Sequence, residues 1–278
     1  MNISITFGLG LILLAFVCEY IDSTLGMGYG TTLTPMLLIL GFEPLQIIPA
    51  VLTSELCTGF LAAFGHNNAG NVDFSIPIKK PKYVMNYIRQ NGIKNTFQTS
   101  VSKNLKIVIL LAFCSTIGSL LGVSIAISIP TVYLKIYIGT LTIIIGTGLL
   151  LFGNRKFKFS WKGITSLGIL ASFNKSISGG GYGPVVTGGQ MFSGVEPKNA
   201  VAITSFSEGL TCSISIILYL ITGTNIEFNL FPYIIIGAIL SVPLSVKSVK
   251  EMDKREFKST IAKFTLALGI FTILKQFF

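Results

Sequence analysis

Charge is scarce in this chain: Asp, Glu, Lys and Arg make up only 12% of its 278 residues, while apolar residues make up 51%. An ordinary soluble domain carries roughly a quarter charged residues, so a water-exposed surface cannot be built from this composition. Histidine occurs once, at His66, which leaves no histidine pair for a metal or for acid–base catalysis. The four cysteines, Cys18, Cys57, Cys114 and Cys212, each fall inside an apolar stretch and show no paired spacing. They read as small apolar residues, and neither a redox role, a metal nor a cofactor is expected. Residues Met1 to Phe7 carry no positive charge, and no small-residue cleavage site stands near residue 20. The first apolar run is therefore expected to be kept as a helix.

What the chain has in abundance is long apolar runs. A spanning helix needs about 20 mostly apolar residues, and ten segments can be marked: 3–22, 31–41, 45–65, 105–128 and 131–152, then 163–178, 184–193, 198–222, 229–248 and 258–277. The fold class this implies is an all-α integral membrane protein. Segments 31–41 and 184–193 are too short to span, since ten helical residues reach only about 15 Å. Each follows a glycine-rich break, Gly28-Tyr29-Gly30 and Gly181-Tyr182-Gly183.

A shift of 153 residues superposes the two breaks without a gap. Ser23, Gly26, Gly28, Tyr29, Gly30, Thr34, Gly41, Glu43, Pro44, Ser54, Glu55 and Thr58 fall on identical residues, 12 of the 37 positions from 22 to 58. Random pairing at this composition gives about three or four, so a duplication is expected. Residues 1–152, including loop 66–104, form the first repeat and residues 163–278 the second, within one transmembrane unit. Loops 66–104, 153–162 and 247–258 hold 15 of the 21 Lys and Arg residues, which places them in the cytoplasm. Segment 45–65 then runs inward and its mate 198–222 outward. The result is two inverted five-segment repeats with both termini outside, in a multi-pass protein of the cell membrane. Inverted repeats with interrupted helices point to a secondary transporter with a site near the midplane. The net charge of +10 is on this reading a topology signal, and no nucleic-acid partner is expected.

Several residues are chemically costly where they stand. Glycines 26, 28 and 30, and 179, 180, 181 and 183, each cost about 1 kcal/mol in a helix interior relative to alanine. They are read as unwound backbone whose freed amides face an anion. The alternative is close helix packing through small residues. Lys175, the repeat mate of Asp22, lies about 18 Å along its segment from Gly163, deep enough to make it functional or paired unless it snorkels to the surface. Glu55 and Glu208 stand mid-segment at matched positions and are expected to serve proton relay or cation coupling, or else an ion pair with Lys175. Glu19 and Asp22 are weaker candidates that reach an outer surface. Ser176, Ser178, Thr31, Thr32, Thr187 and Gln190 flank the breaks as hydrogen-bond donors. His66 ends segment 45–65 at the cytoplasmic mouth, and the lysine-rich stretch 76–98 is a solvated loop or a lipid-surface contact. A potassium-filter reading of Gly-Tyr-Gly fails because two antiparallel copies cannot make four carbonyl rings about one axis.

The stretches Gly26-Met27-Gly28-Tyr29-Gly30-Thr31-Thr32 with Thr34-Pro35, Gly70-Asn71-Val72-Asp73, and Ser178-Gly179-Gly180-Gly181-Tyr182-Gly183-Pro184 resemble the sulfite exporter TauE/SafE family of membrane anion transporters. The resemblance implies movement of sulfite, organosulfonates or related small anions without ATP hydrolysis. It covers both halves, with loop 74–104 the least familiar part. In the first break Met27 and Tyr29 replace glycines of the family's commoner triplet, so the second break is the better candidate for anion contact and the first for gating or support. The substrate-binding set expected is thus Lys175, Ser176, Ser178, Gly179, Gly180, Gly181, Tyr182, Gly183, Gly28, Tyr29, Gly30 and Thr31, in a carrier that alternates access, with Glu55 and Glu208 for proton coupling. The partners expected are a small anion and membrane lipid, with a homodimer left open. Rival readings are a passive anion channel, an intramembrane enzyme built on Lys175 and Ser176, and a structural membrane subunit. Adjacent helix residues point about 100° apart, which counts against the enzyme.

Overall fold

The computed structural model describes residues 4–74, 102–152, 160–192, 195–223 and 226–249, with isolated positions between 263 and 274. The lysine-rich stretch 76–98 and most of the tenth apolar segment, 258–277, lie outside the described residues. Among the described residues there are nine helices and no strand: α1 (Ile5–Leu25), α2 (Tyr29–Ile39), α3 (Pro44–Asn68), α4 (Lys103–Ser128), α5 (Thr131–Phe152), α6 (Trp161–Ser178), α7 (Tyr182–Phe192), α8 (Pro197–Ile221) and α9 (Phe231–Ser248). Five of them, α1, α3, α4, α8 and α9, are long and apolar enough to cross a membrane. The short segments after the two breaks are helices of 11 residues each, α2 and α7.

The helix ends follow from local chemistry. Glu43 caps α3 through a capping box with Gln46, and Pro44 takes the first turn, where a missing N–H costs nothing. Glu196 and Pro197 hold the same places at the start of α8. Helices α1 and α6 both stop on a left-handed glycine, Gly26 at φ 69° and Gly179 at φ 73°. Their amides bond back to the carbonyls of Asp22 and Lys175, a glycine-terminated helix end.

Two places differ from the sequence reading. The breaks are shorter than expected, because Tyr29 and Gly30 already open α2, and Tyr182 and Gly183 open α7. The non-helical backbone is confined to residues 26–28 and 179–181, where Gly28 and Gly181 also take positive φ. His66 is fully buried rather than open at a mouth. Its Nε2 lies 3.2 Å from the Ser23 carbonyl of α1 and its Nδ1 3.1 Å from Asn71.

The long helices pack as a row, α1–α9–α3–α8–α4–α6, with the α3–α8 crossing at its centre. At that crossing a side chain on Gly59 would meet the Ser205 carbonyl at 2.7 Å and Gly209 at 2.9 Å, so the backbones approach as closely as small residues permit. The short helices α2 and α7 fill the space beside it, α2 against α1, α3, α5 and α6, and α7 against α6 and α8.

Exposure is inverted relative to a soluble protein. Phe113 is 72% exposed and Leu13 64%, while Lys175 is 0% and Glu55 3% exposed. A lipid-facing shell explains the first pair. The second pair requires an internal polar site, because charge in hydrocarbon must be paired or hydrated.

Candidate functional site

The two breaks cross in contact. A Cβ at Gly30 would overlap the Gly179 carbonyl, and one at Gly183 would stand 2.5 Å from the Gly26 oxygen and 2.7 Å from Met27 Cα. Each half thus presses the first turn of its short helix onto the other half's left-handed glycine. Thr187 adds a hydrogen bond to the Gly26 carbonyl at 2.5 Å, and Thr34, its counterpart, lies beside Gly179. The Gly181 amide donates to Thr31 Oγ1 at 3.1 Å, and the Gly180 amide to Ser178 Oγ at 3.2 Å. A small cavity lined by Gly30, Thr31, Ile138, Leu141, Thr142, Ser178, Gly180 and Gly181 opens at this crossing. Thr142 of α5 carries no sequence signal that would single it out.

One turn below the second break, Lys175 reaches across to both candidate acids. Its Nζ forms ion pairs with Glu55 of α3 and, at 2.9 Å, with Glu208 of α8. All three side chains are buried. Asp22 joins them: carboxylate oxygens of Asp22, Glu55 and Glu208 all lie within 4.8 Å of one another. The other Asp22 contact is with the N-terminus of α2, whose Tyr29 amide donates to Asp22 Oδ1 at 3.1 Å. A carboxylate there is favoured by the unpaired amides and the dipole of the helix.

Glu19, one turn before Asp22, is also buried and accepts from Ser23 Oγ at 2.6 Å. Neither acid of α1 reaches an outer surface, contrary to the sequence reading. The reason is that this face of α1 lies against α3 and α8, whose Glu55, Thr58, Ser205 and Glu208 line the same cavity. Glu19, Asp22, Glu55, Thr58, Gly59, Ser205 and Glu208 line a second cavity of about 10 Å³, room for about one water-sized occupant. The pairing of Asp22 with Lys175 in the repeat was the available signal for this acid. Four buried carboxylates and one lysine thus share one small volume.

Apart from the Tyr29 amide on Asp22, the remaining expected site residues make their hydrogen bonds outside this cluster. Ser176 turns to α8, where its hydroxyl lies 2.7 Å from Ser215 Oγ, and its carbonyl accepts from Tyr219. Thr32 is buried. Gln190 donates to Thr204 Oγ1 at 3.1 Å, and that hydroxyl lies 2.7 Å from Thr187 Oγ1. Tyr29 and Tyr182 are fully buried, and the Tyr29 hydroxyl is 2.8 Å from Ser54 Oγ. Tyr29→Phe removes this one bond while keeping the ring's packing. It is expected to lower stability by about 1 kcal/mol, read as a small shift in the melting temperature of the purified protein.

Comparison with known proteins gives three findings. The family described as "Sulfite exporter TauE/SafE" matches residues 95–272. The chain is 23% identical over 285 residues to the "Probable membrane transporter protein YtnM" of Bacillus subtilis (strain 168), covering 96% of this chain and 83% of that protein. No solved structure gives a significant match.

Proposed function

The chain belongs to the sulfite exporter TauE/SafE family and is a membrane transporter rather than an enzyme; from that premise we infer that it is a secondary transporter of small anions, sulfite, organosulfonates or related sulfur-containing anions foremost. It works by alternating access in the cell membrane, with residues 1–152 and 163–278 as two inverted repeats and Glu55 and Glu208 coupling anion movement to a gradient of protons or another cation. The observation that carries this reading is the buried crossing of the two glycine breaks, with Lys175 one turn away. Unwound backbone at membrane depth is tolerated where it lines a cavity, and helix N-termini beside it favour anions.

The inverted-repeat reading is supported by the packing. Exchanging α1 with α6, α9 with α4 and α3 with α8 maps the row of helices onto itself. Positive-φ glycines recur 153 residues apart not only at the breaks but also at Gly70 and Gly223, after α3 and α8.

The anion is read to bind at the second break, where Thr31 and Ser178 hydroxyls now accept the Gly181 and Gly180 amides. An anion oxygen would replace those hydroxyls, and the Lys175 ammonium would supply the charge. In this conformation both kinds of donor are satisfied by the protein's own oxygens, so binding proceeds by exchange. The hydroxyl-bonded amides exchange readily, because a charged acceptor bonds an amide more strongly than a neutral one does.

The test is a thermal-stability screen of purified protein against sulfite, thiosulfate, sulfoacetate, taurine and plain carboxylates, followed by flux into proteoliposomes. At least one sulfur-containing anion is expected to stabilise the protein and to accumulate against its gradient when a cation gradient is imposed. Flux that only ever equilibrates would make the protein a channel. No ligand-dependent shift and no flux would leave a structural subunit.

A further inference from the structure

The acidic cavity beside the breaks holds more carboxylate than its lysine can neutralise. Among the described residues, the ion pairs within the group Glu19, Asp22, Glu55 and Glu208 are those that Lys175 makes with Glu55 and Glu208, and all five residues are buried. One carboxylate oxygen in this volume, Glu55 Oε1, is buried and has no hydrogen-bond partner, while Glu19 is met by the Ser23 and Thr58 hydroxyls; both side chains line the cavity. Unpaired acceptors of this kind call for a donor or a cation. The lysine ammonium already demonstrates that a monovalent cation fits between Glu55 and Glu208.

We propose that Asp22, Glu55 and Glu208, with Glu19 beside them, form a binding site for one alkali cation, Na⁺ foremost, whose entry displaces the Lys175 ammonium and releases it toward the second break. The size is right. Three oxygens within 4.8 Å of one another share a centre no more than about 2.8 Å from each, and a hard cation of similar radius takes oxygen ligands at about 2.3–2.6 Å. The charge is right as well. Exchanging one ammonium for one monovalent ion leaves the charge of the carboxylate cluster unchanged, whereas a divalent ion would add to it. The hydroxyls of Thr58 and Ser205 on the cavity wall offer neutral oxygens to complete the shell.

The consequence for transport rests on the reading given under the preceding heading. Lys175 lies one turn before Gly179, whose amide donates to the Lys175 carbonyl at 2.8 Å. An ammonium freed from Glu55 and Glu208 is available to an anion at Gly180 and Gly181. Cation entry and anion binding are then one event, because the same lysine serves the acids in one state and the anion in the other. Other groups facing the cluster are the Cys212 thiol of α8, 4.0 Å from Glu55, and the Ser23 hydroxyl on Glu19. Neither brings a charge that would substitute for the cation.

The experiment measures the melting temperature and ²²Na⁺ binding of the purified full chain in NaCl, LiCl, KCl or choline chloride at equal ionic strength. Saturating NaCl is expected to raise the melting temperature by about 5 °C over choline chloride. Asp22→Asn, which keeps an acceptor for the Tyr29 amide and leaves the Lys175 ion pairs in place, is expected to abolish that shift and the bound ²²Na⁺. Lys175→Met removes the competing ammonium and is expected to tighten Na⁺ binding about tenfold or more. Identical melting in all four salts for the wild-type protein, with no ²²Na⁺ bound, would overturn the site, and Asp22→Asn indistinguishable from wild type in NaCl would do the same. Sulfite or thiosulfate binding is followed in parallel. If it persists without any cation preference, the cation site fails and the anion-transporter reading stands; specific Na⁺ binding without any anion effect gives the reverse.

Discussion

Lys175→Ala is expected to lower the stability of the purified protein by about 3–5 kcal/mol and to reduce anion flux in proteoliposomes to background. The stability loss comes from Glu55 and Glu208, both buried. Removing the ammonium leaves two carboxylates facing each other in low dielectric, and breaking a buried ion pair by deleting one partner costs far more than deleting the whole pair. That asymmetry gives the check. A triple variant, Lys175→Met with Glu55→Gln and Glu208→Gln, is expected to recover most of the stability while flux stays at background. Equal destabilisation of the single and triple variants in thermal unfolding would mean that uncompensated charge on Glu55 and Glu208 is not what destabilises Lys175→Ala. If the cation site is present, NaCl is also expected to restore part of the stability of the single variant, because it supplies the missing charge.

Gly30→Ala and Gly183→Ala are expected to be as damaging, for a reason that involves no charge. Both glycines sit in the first turn of a short helix, and at both the atoms in the way belong to backbone, the Gly179 carbonyl at one and Gly26 with Met27 at the other. A backbone cannot rotate aside as a side chain can, so the two breaks must move apart. Overpacking of this kind costs about 3 kcal/mol or more, and here it also separates the groups around the small cavity at Gly180 and Gly181. Gly10→Ala in α1 is the control: nothing lies within 4 Å of a Cβ there, and a helical alanine for glycine is worth up to about 1 kcal/mol. Thermal melts of the three variants side by side read the difference. Gly30→Ala and Gly183→Ala melting with Gly10→Ala would show that the crossing gives way without cost.

Both expectations draw on features of different origin in the chain. The run lengths, the two 11-residue helices and the glycines that end α1 and α6 follow from local rules, and nine of the ten apolar segments coincide with helices among the described residues. The ends of the breaks differ from the sequence reading because Tyr29-Gly30 and Tyr182-Gly183 have the composition of unwound backbone. In the fold they are the first turn of α2 and α7, whose amides have no helical partner in any case. The position of His66 at the end of an apolar run says nothing about what packs over it.

The sequence by itself determined that the chain lives in a bilayer, where its helices run, and that two glycine breaks recur at a fixed spacing with an acid in each following long helix. These depend on composition and on spacing along the chain. Only the tertiary structure decided which charges meet. Lys175 lies 120 residues from Glu55 and 33 from Glu208, and nothing in either interval specifies that α3, α6 and α8 converge. Asp22 and Glu19 become part of the cluster because α1 packs with that face inward, which turned two weak candidates into half of its carboxylates. The physical reason is common to both: a buried charge is selected by its partner, and the partner is fixed by helix crossings that small residues such as Gly59 and Gly209 make close.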